Sequence, residues 1–261
     1  MKKFDTLTFS AIIPEVVAKY ANHKALGFVD EEALTYAQMG EEIEAAIAFL
    51  EALDVKSGDK VVIYSQNMPN WGVVYFALQC MGVVTVPVLP DFNTHELQNV
   101  LEHSEAKAVF ISQSLEHKLA EAKKKFVKCV IRIDNLEVIE GKDLSIVYEK
   151  GAKSTSTYNV DENELAILLY TSGTTGDSKG VMLSQKNVIL NSYQAAGIQP
   201  INEHDRFLSV LPLSHTYENT LGLILPILNG AGVTYLRKPP TASVLVPAMQ
   251  SVKPDFMLTV P

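Results

Sequence analysis

Cysteine is scarce in this chain: there are two, Cys80 and Cys129, each among apolar neighbours. That favours a pair of reduced core thiols over a disulfide framework or a cysteine metal site. Positive charge is also short. The formal net charge is −8, which argues against a nucleic-acid partner. The one basic cluster, Lys123-Lys124-Lys125, follows Glu121 on what reads as a solvated helix face. A weak peripheral contact with an anionic membrane is the most it offers. Long apolar runs are missing too: no stretch approaches the roughly 18 residues of a membrane span, and the N-terminus lacks the apolar block of a signal peptide. The expectation is a soluble, cytoplasmic protein.

The composition, 47% hydrophobic and 20% charged over 261 residues, is that of a globular chain. At this length a domain buries roughly three quarters of its unfolded surface and needs no covalent staple. Its periodicity alternates. "TYAQMGEEIEAAIAFLEAL" spaces Met39, Ile43, Ile47, Leu50 and Leu53 by three and four, and Thr35 with Gln38 makes a capping box. "DKVVIYS" then reads as a strand, and "NMPNWGVVYFALQCMG" as a helix with Pro69 in its first turn and Gly82 past its end. Strands "VVTVPVL", "KAVFIS" and "KCVIRID" alternate with helices "NTHELQNVLEHS" and "LEHKLAEAKKKF". Continuous Val/Ile runs mean strands covered on both faces, so the fold class is α/β, doubly wound, with mostly parallel sheets. Residues from about 135 to 163 lose the rhythm and read as a surface connection. Beyond them "KNVILNSYQAA", "NTLGLILPILNG" and "TASVLVPAMQSV" read as helices, and "DRFLSVLP", "AGVTYLR" and "PDFMLTVP" as strands. No internal repeat is present.

One segment breaks the pattern. In "LAILLYTSGTTGDSKGVML" a strand gives way to Thr171, Ser172, Gly173, Thr174, Thr175, Gly176, Asp177, Ser178, Lys179 and Gly180, then the chain turns apolar again. Gly173, Gly176 and Gly180 permit positive φ and close backbone approach. Exposed N–H groups in such a turn form an anion nest. The hydroxyls add donors and Lys179 a mobile charge, a set suited to polyphosphate at the carboxyl end of a strand. A flexible linker has this composition as well, but a linker is not expected between flanks that read as buried, Leu165–Leu169 and Val181–Leu183. A Walker-type loop fails because Lys179 is followed by Gly180, and no G-x-G-x-x-G loop is present.

"YTSGTTGDSKGVMLSQKN" resembles the phosphate-binding signature of the adenylate-forming superfamily, [ST]-[ST]-G-[ST]-[ST]-G-x-P-K-G, with Ser178 in place of the usual Pro. Losing that φ lock loosens the loop without removing a donor. Gln185 stands where many relatives place His and is assigned no catalytic role. "LPLSHTYENT" is similar to the next family motif, in the Leu-Pro-Leu-Ser-His-x-x-Glu form of long-chain fatty acyl-CoA synthetases. "LTYAQM", "GDKVVIYSQNMPNW" and "MGVVTVPVLP" also run parallel to the family, so the resemblance spans nearly the whole chain.

The resemblance implies the N-terminal part of the large domain of an enzyme that activates a fatty acid with ATP and Mg²⁺ and passes the acyl group to CoA. By the same resemblance Ser172, Thr174, Thr175 and the glycine amides hold the phosphates, and Thr171 lies near the metal. Lys179 pairs with phosphate, and His215 lines the acyl and adenylate pocket. Glu218 caps or orients the following helix. The family's adenine, ribose, hinge and C-terminal lysine elements are absent from these 261 residues. Hence the expected partner is a missing C-terminal region, and the chain by itself is expected to be inactive. The expected division is 1–140, a first α/β subdomain; 141–163, a connection; and 164–261, the phosphate-loop part. A non-catalytic nucleotide-binding module of the same fold, or a synthetase for another carboxylate, are the alternatives.

Overall fold

The computed structural model describes residues 4–122, 124–141, 144–171 and 179–260. Its helices are α1 (Phe9–Lys19), α2 (Tyr36–Ala52), α3 (Pro69–Cys80), α4 (Thr94–Ser104), α5 (Glu116–Ala120), α6 (Gln185–Ile198), α7 (Leu225–Leu228) and α8 (Ala242–Val252). A π-helical segment, Glu218–Ile224, runs into α7. The strands are β1 (Lys24–Phe28), β2 (Leu34–Thr35), β3 (Lys60–Tyr64), β4 (Val84–Val88), β5 (Ala108–Ile111), β6 (Cys129–Arg132), β7 (Glu137–Gly141), β8 (Leu165–Thr171), β9 (Lys179–Ser184), β10 (Arg206–Ser209) and β11 (Gly232–Tyr235).

They form two sheets, a seven-stranded one ordered β7-β6-β5-β3-β4-β8-β9 and a four-stranded one ordered β10-β11-β1-β2. The large sheet is parallel from β6 through β8, and its two edges, β7 and β9, are antiparallel. Strand alternation explains the continuous apolar runs. Val61 and Ile63 face a cluster containing α1, α2, α3 and residues of the smaller sheet, whereas Val62 and Tyr64 face α4 and α5. Helix α3 lies between the two sheets and is buried on every side from Trp71 to Cys80, so it shows no amphipathic stripe. The expected signals work locally: Thr35 Oγ1 accepts from Gln38 N–H at 3.2 Å while Thr35 N–H donates to Gln38 Oε1 at 2.8 Å. Gly82, just past α3, takes φ +71°.

Several expectations are corrected. Helix α5 ends at Ala120 rather than continuing through the lysine cluster. "PDFMLTVP" forms only an isolated bridge, Phe207 to Phe256, not a strand. The 135–163 region contains the hairpin strand β7. Residues 181–183 are not buried: β9 is a sheet edge, with Val181 42% and Met182 67% exposed. Gly180 lies within β9 without a positive φ; what it requires is space, since a Cβ there would come 2.9 Å from Leu168 Cδ1.

Candidate functional site

In an open α/β sheet the carboxyl ends of parallel strands form the rim where ligands bind. Strand β8 runs parallel to β4, which runs parallel to β3, so Thr171 ends β8 on the same rim as Tyr64 and Val88. The chain leaves β8 at Thr171 and re-enters β9 at Lys179, and these two residues are cross-strand partners. In sequence, the hydroxyl and glycine segment joins two antiparallel strands whose adjoining ends lie on that rim. Ser172, Gly173, Thr174, Thr175, Gly176, Asp177 and Ser178 lie outside the described residues. Lys179 is exposed at the hairpin mouth. Behind it, Tyr170 fastens the end of β8 to α4: its hydroxyl and His103 Nδ1 share a hydrogen bond of 2.6 Å, and burial pushes the phenol up to about 12.

The smaller sheet brings the second motif to the same rim. Residues 210–217 leave the carboxyl end of β10, and Asn67, three residues beyond Tyr64 at the end of β3, holds them. Asn67 Nδ2 donates to Ser209 Oγ at 3.0 Å and to the Leu211 carbonyl at 2.7 Å, while its Oδ1 accepts from Leu213 N–H at 2.8 Å. Neighbouring strands are about 4.8 Å apart, so β8, two strands from β3, lies roughly 10 Å along the rim. His215 is exposed at the end of this held segment. Its N–H donates to the Pro212 carbonyl at 2.9 Å and its Nδ1 accepts from Tyr217 N–H at 3.2 Å. Between the two sheets a cavity of about 130 Å³ is lined by Asn67, Pro90, Ser209, Leu211 and Arg237. A larger cavity of about 770 Å³ lies elsewhere, between α1, α2 and residues 151–158, and none of the motif residues lines it.

Two residues within the motifs have structural surroundings that the sequence does not disclose. Gln185 is 1% exposed; its Oε1 accepts from Phe9 N–H at 2.7 Å and its Nε2 donates to the Gln79 carbonyl at 2.7 Å, tying α6 to α1 and α3. Glu218 makes no helix cap. It is 1% exposed and its Oε1 accepts from Ser209 Oγ at 2.6 Å. Burial pushes its carboxyl up to about 7, and the Ser209 bond opposes that rise. Asn67 carries no sequence signal of its own; only the meeting of two sheets shows what it bridges.

Among the described residues no group of three or more His, Cys, Asp or Glu side chains is placed to hold a metal. No helix of the described residues is long and apolar enough to cross a membrane. The architecture is the α/β fold of the adenylate-forming enzymes. The chain belongs to the AMP-binding enzyme family, which matches residues 13–261. It is 29% identical over 259 residues to the putative acyl-CoA synthetase YngI of Bacillus subtilis, covering 87% of this chain and 46% of that protein. It is 29% identical over 204 residues to the long-chain-fatty-acid–CoA ligase FadD15 of Mycobacterium bovis, covering 73% and 33%. Among solved structures, VinN with 3-methylaspartate matches with a TM-score of 0.82 at 20% identity, covering 97% of this chain and 66% of that one. MenE from Bacillus subtilis with AMP matches with a TM-score of 0.76 at 22% identity, covering 94% and 60%. The chain thus spans half or less of the curated relatives it matches.

Proposed function

We propose that this chain is the phosphate-holding N-terminal part of an acid–CoA ligase, and that the acid is a long-chain fatty acid. In the reaction the substrate carboxylate attacks the α-phosphate of ATP, pyrophosphate leaves, and the thiol of CoA then displaces AMP from the acyl-adenylate. Negative charge grows on the phosphates as the bond breaks, so donors fixed beforehand favour the transition state over the ground state. The observation that supports this best is that β8 ends at Thr171 and β9 starts at Lys179, the two ends of TSGTTGDSKG short of Gly180, on the rim that also carries the His215 segment. Thr174, Thr175, Ser172 and the amides of Gly173, Gly176 and Gly180 donate to the β- and γ-phosphates, and Lys179 at the hairpin mouth pairs with them. His215 lines the acyl and adenylate pocket.

Magnesium fits only in part. It favours phosphate oxygens together with one or two carboxylates, and among the described residues no group of three or more His, Cys, Asp or Glu forms a ready-made cage for it. In this reading Thr171 and the phosphates supply what this chain gives it. The 130 Å³ cavity is likewise smaller than the roughly 300–1,000 Å³ of a ligand site, so a further stretch of protein completes the enclosure. Residues 1–140, 141–163 and 164–261 act here as first subdomain, connection and phosphate-loop part, in the cytoplasm. The fatty-acid choice rests on the Leu-Pro-Leu-Ser-His-x-x-Glu wording of the second motif and on FadD15 among the relatives, which also include a probable 4-coumarate–CoA ligase and an oxalate–CoA ligase. Acid-dependent exchange of pyrophosphate into ATP, measured with the whole protein against fatty acids of increasing length, 4-coumarate and oxalate, tests it. Exchange with long-chain acids is expected. Exchange with only a short or aromatic acid refutes the substrate, and no exchange with any acid refutes the ligase.

A further inference from the structure

Glu218 is a side chain that packing alone does not explain. A carboxyl at 1% exposure normally has partners for both oxygens. Here Oε1 accepts from Ser209 Oγ, and Oε2 is buried without a hydrogen bond. The neighbouring elements provide no compensating charge. The π-helical segment and α7 contain no other charged residue, and neither does α3. Helix α6 has one, Lys186, which is paired with Glu162 at 2.7 Å. Arg206 on β10 is paired with Asp255 at 3.0 Å. The titratable neighbour that feels the Glu218 charge is the Tyr235 hydroxyl on β11, itself buried without a partner. The local backbone nevertheless makes room for this carboxyl: a Cβ on Gly222 would lie 2.5 Å from Oε1, 2.6 Å from Cδ and 3.0 Å from Oε2. A π-turn widened around a glycine, enclosing a single carboxyl, is a device more often found at functional positions than in plain packing.

The bonds run outward from there to the rim. Ser209 donates to Glu218 and accepts from Asn67; Asn67 in turn grips the Leu211 carbonyl and the Leu213 N–H; Pro212 between them accepts from His215 N–H. The segment is also closed from the other side, since Asn219 N–H, next to Glu218, donates to the His215 carbonyl at 2.9 Å. We propose that Glu218 is a positioning residue, which through Ser209 and Asn67 holds residues 210–215, and with them His215, in register with the strand rim. It touches no substrate. Asn67 connects the two sheets, so the chain of bonds fixes where the His215 segment of the small sheet stands relative to the rim of the large one. The Glu218 oxygen takes the Ser209 proton and so orients the hydroxyl, leaving its lone pairs to Asn67.

This placement is independent of the reaction, although its use rests on the function proposed above, and the two are tested separately. Amide hydrogen exchange on the 261-residue chain reads the placement. Ser209→Ala and Glu218→Ala should each speed exchange at Leu213 and His215 by about tenfold or more, the scale of a lost local hydrogen bond, with Val62 and Ile63 of β3 still at wild-type protection. Glu218→Gln keeps an oxygen acceptor and should restore protection. If Glu218→Ala does not fold, Ser209→Ala and Glu218→Gln still decide. Unchanged protection at Leu213 and His215 in Ser209→Ala overturns the proposal, as does equal acceleration at Val62 and Ile63. In the whole protein, Ser209→Ala should raise KM for the acid by about tenfold and leave KM for ATP within about twofold. A parallel rise in both overturns the link to the His215 segment. A wild-type protein with no acid-dependent pyrophosphate exchange refutes the proposed function and leaves the exchange result standing.

Discussion

Replacing Glu218 by Gln should flatten a specific part of the pH dependence of stability. Burial raises the Glu218 carboxyl from its ordinary 4.5 to about 7 in the folded chain. Below pH 4.5 the group is protonated in both folded and unfolded states and contributes its full share. Between 4.5 and 7 the unfolded chain ionises while the folded one holds its proton, so stability falls as pH rises. Above 7 both states are ionised and the loss is complete. Each tenfold change in proton affinity is about 1.4 kcal/mol, so the loss across this window is about 3 kcal/mol. Gln is neutral throughout and loses nothing there, though its amide N–H₂ takes the unpartnered Oε2 position at a cost of roughly 1–2 kcal/mol at every pH. Urea unfolding of wild type and Glu218→Gln at pH 5 and pH 8 checks this. Glu218→Gln should be the less stable form at pH 5 and gain on the wild type by about 2.5 kcal/mol on going to pH 8. The difference isolates Glu218 from carboxylates such as Glu162 and Asp255, which Lys186 and Arg206 hold below the ordinary range and which respond at more acid pH. A wild-type-minus-variant difference that stays constant from pH 5 to pH 8 would refute the buried, proton-holding carboxyl.

Other perturbations probe different links. Gln185→Leu leaves Phe9 N–H and the Gln79 carbonyl without partners and should destabilise by about 3 kcal/mol in urea; a change within ~0.5 kcal/mol would mean those bonds contribute nothing. Gly222→Ala places a methyl 2.5 Å from Glu218 Oε1, and forcing the carboxyl aside should cost about 2 kcal/mol and lower Tm; wild-type Tm would show the π-turn is not shaped around it. The 261-residue chain alone should form no acyl-adenylate, and fatty-acid-dependent pyrophosphate exchange by the pure chain would contradict that.

The legible parts of the fold are those where one physical cause dominates. Val61 to Tyr64 and Val84 to Val88 are covered on both faces and read as continuous apolar runs, and Thr35, Pro69 and Gly82 mark helix ends by their own stereochemistry. Where causes compete, the reading fails. Pro14 inside α1 hides a helix whose buried Phe9, Ile12, Ile13 and Val16 anchor it. Val181 and Met182 look buried by composition, but they lie on an antiparallel edge where no neighbour covers them. "PDFMLTVP" has strand composition, yet pairs only at Phe256. For the candidate site, the hydroxyl and glycine segment and His215 are visible as motifs because their chemistry is local in sequence. The Asn67–Ser209–Glu218 series is not, because its members are 142 and 9 residues apart and meet only when the two sheets do. Nothing in "ENTLGLI" distinguishes a π-turn from an α-turn, so the role of Gly222 as room for a carboxyl four residues earlier is invisible without coordinates.

The central claim is that the segment between β8 and β9 holds the phosphates of ATP, and Thr174→Ala in the whole protein tests it most directly. Steady-state adenylation, followed by pyrophosphate release at saturating acid with ATP varied, gives kcat/KM for ATP. Loss of one preorganised donor predicts a fall of roughly 10²-fold in that ratio, with the urea midpoint unchanged. A kcat/KM for ATP equal to wild type in a properly folded Thr174→Ala protein would contradict the account.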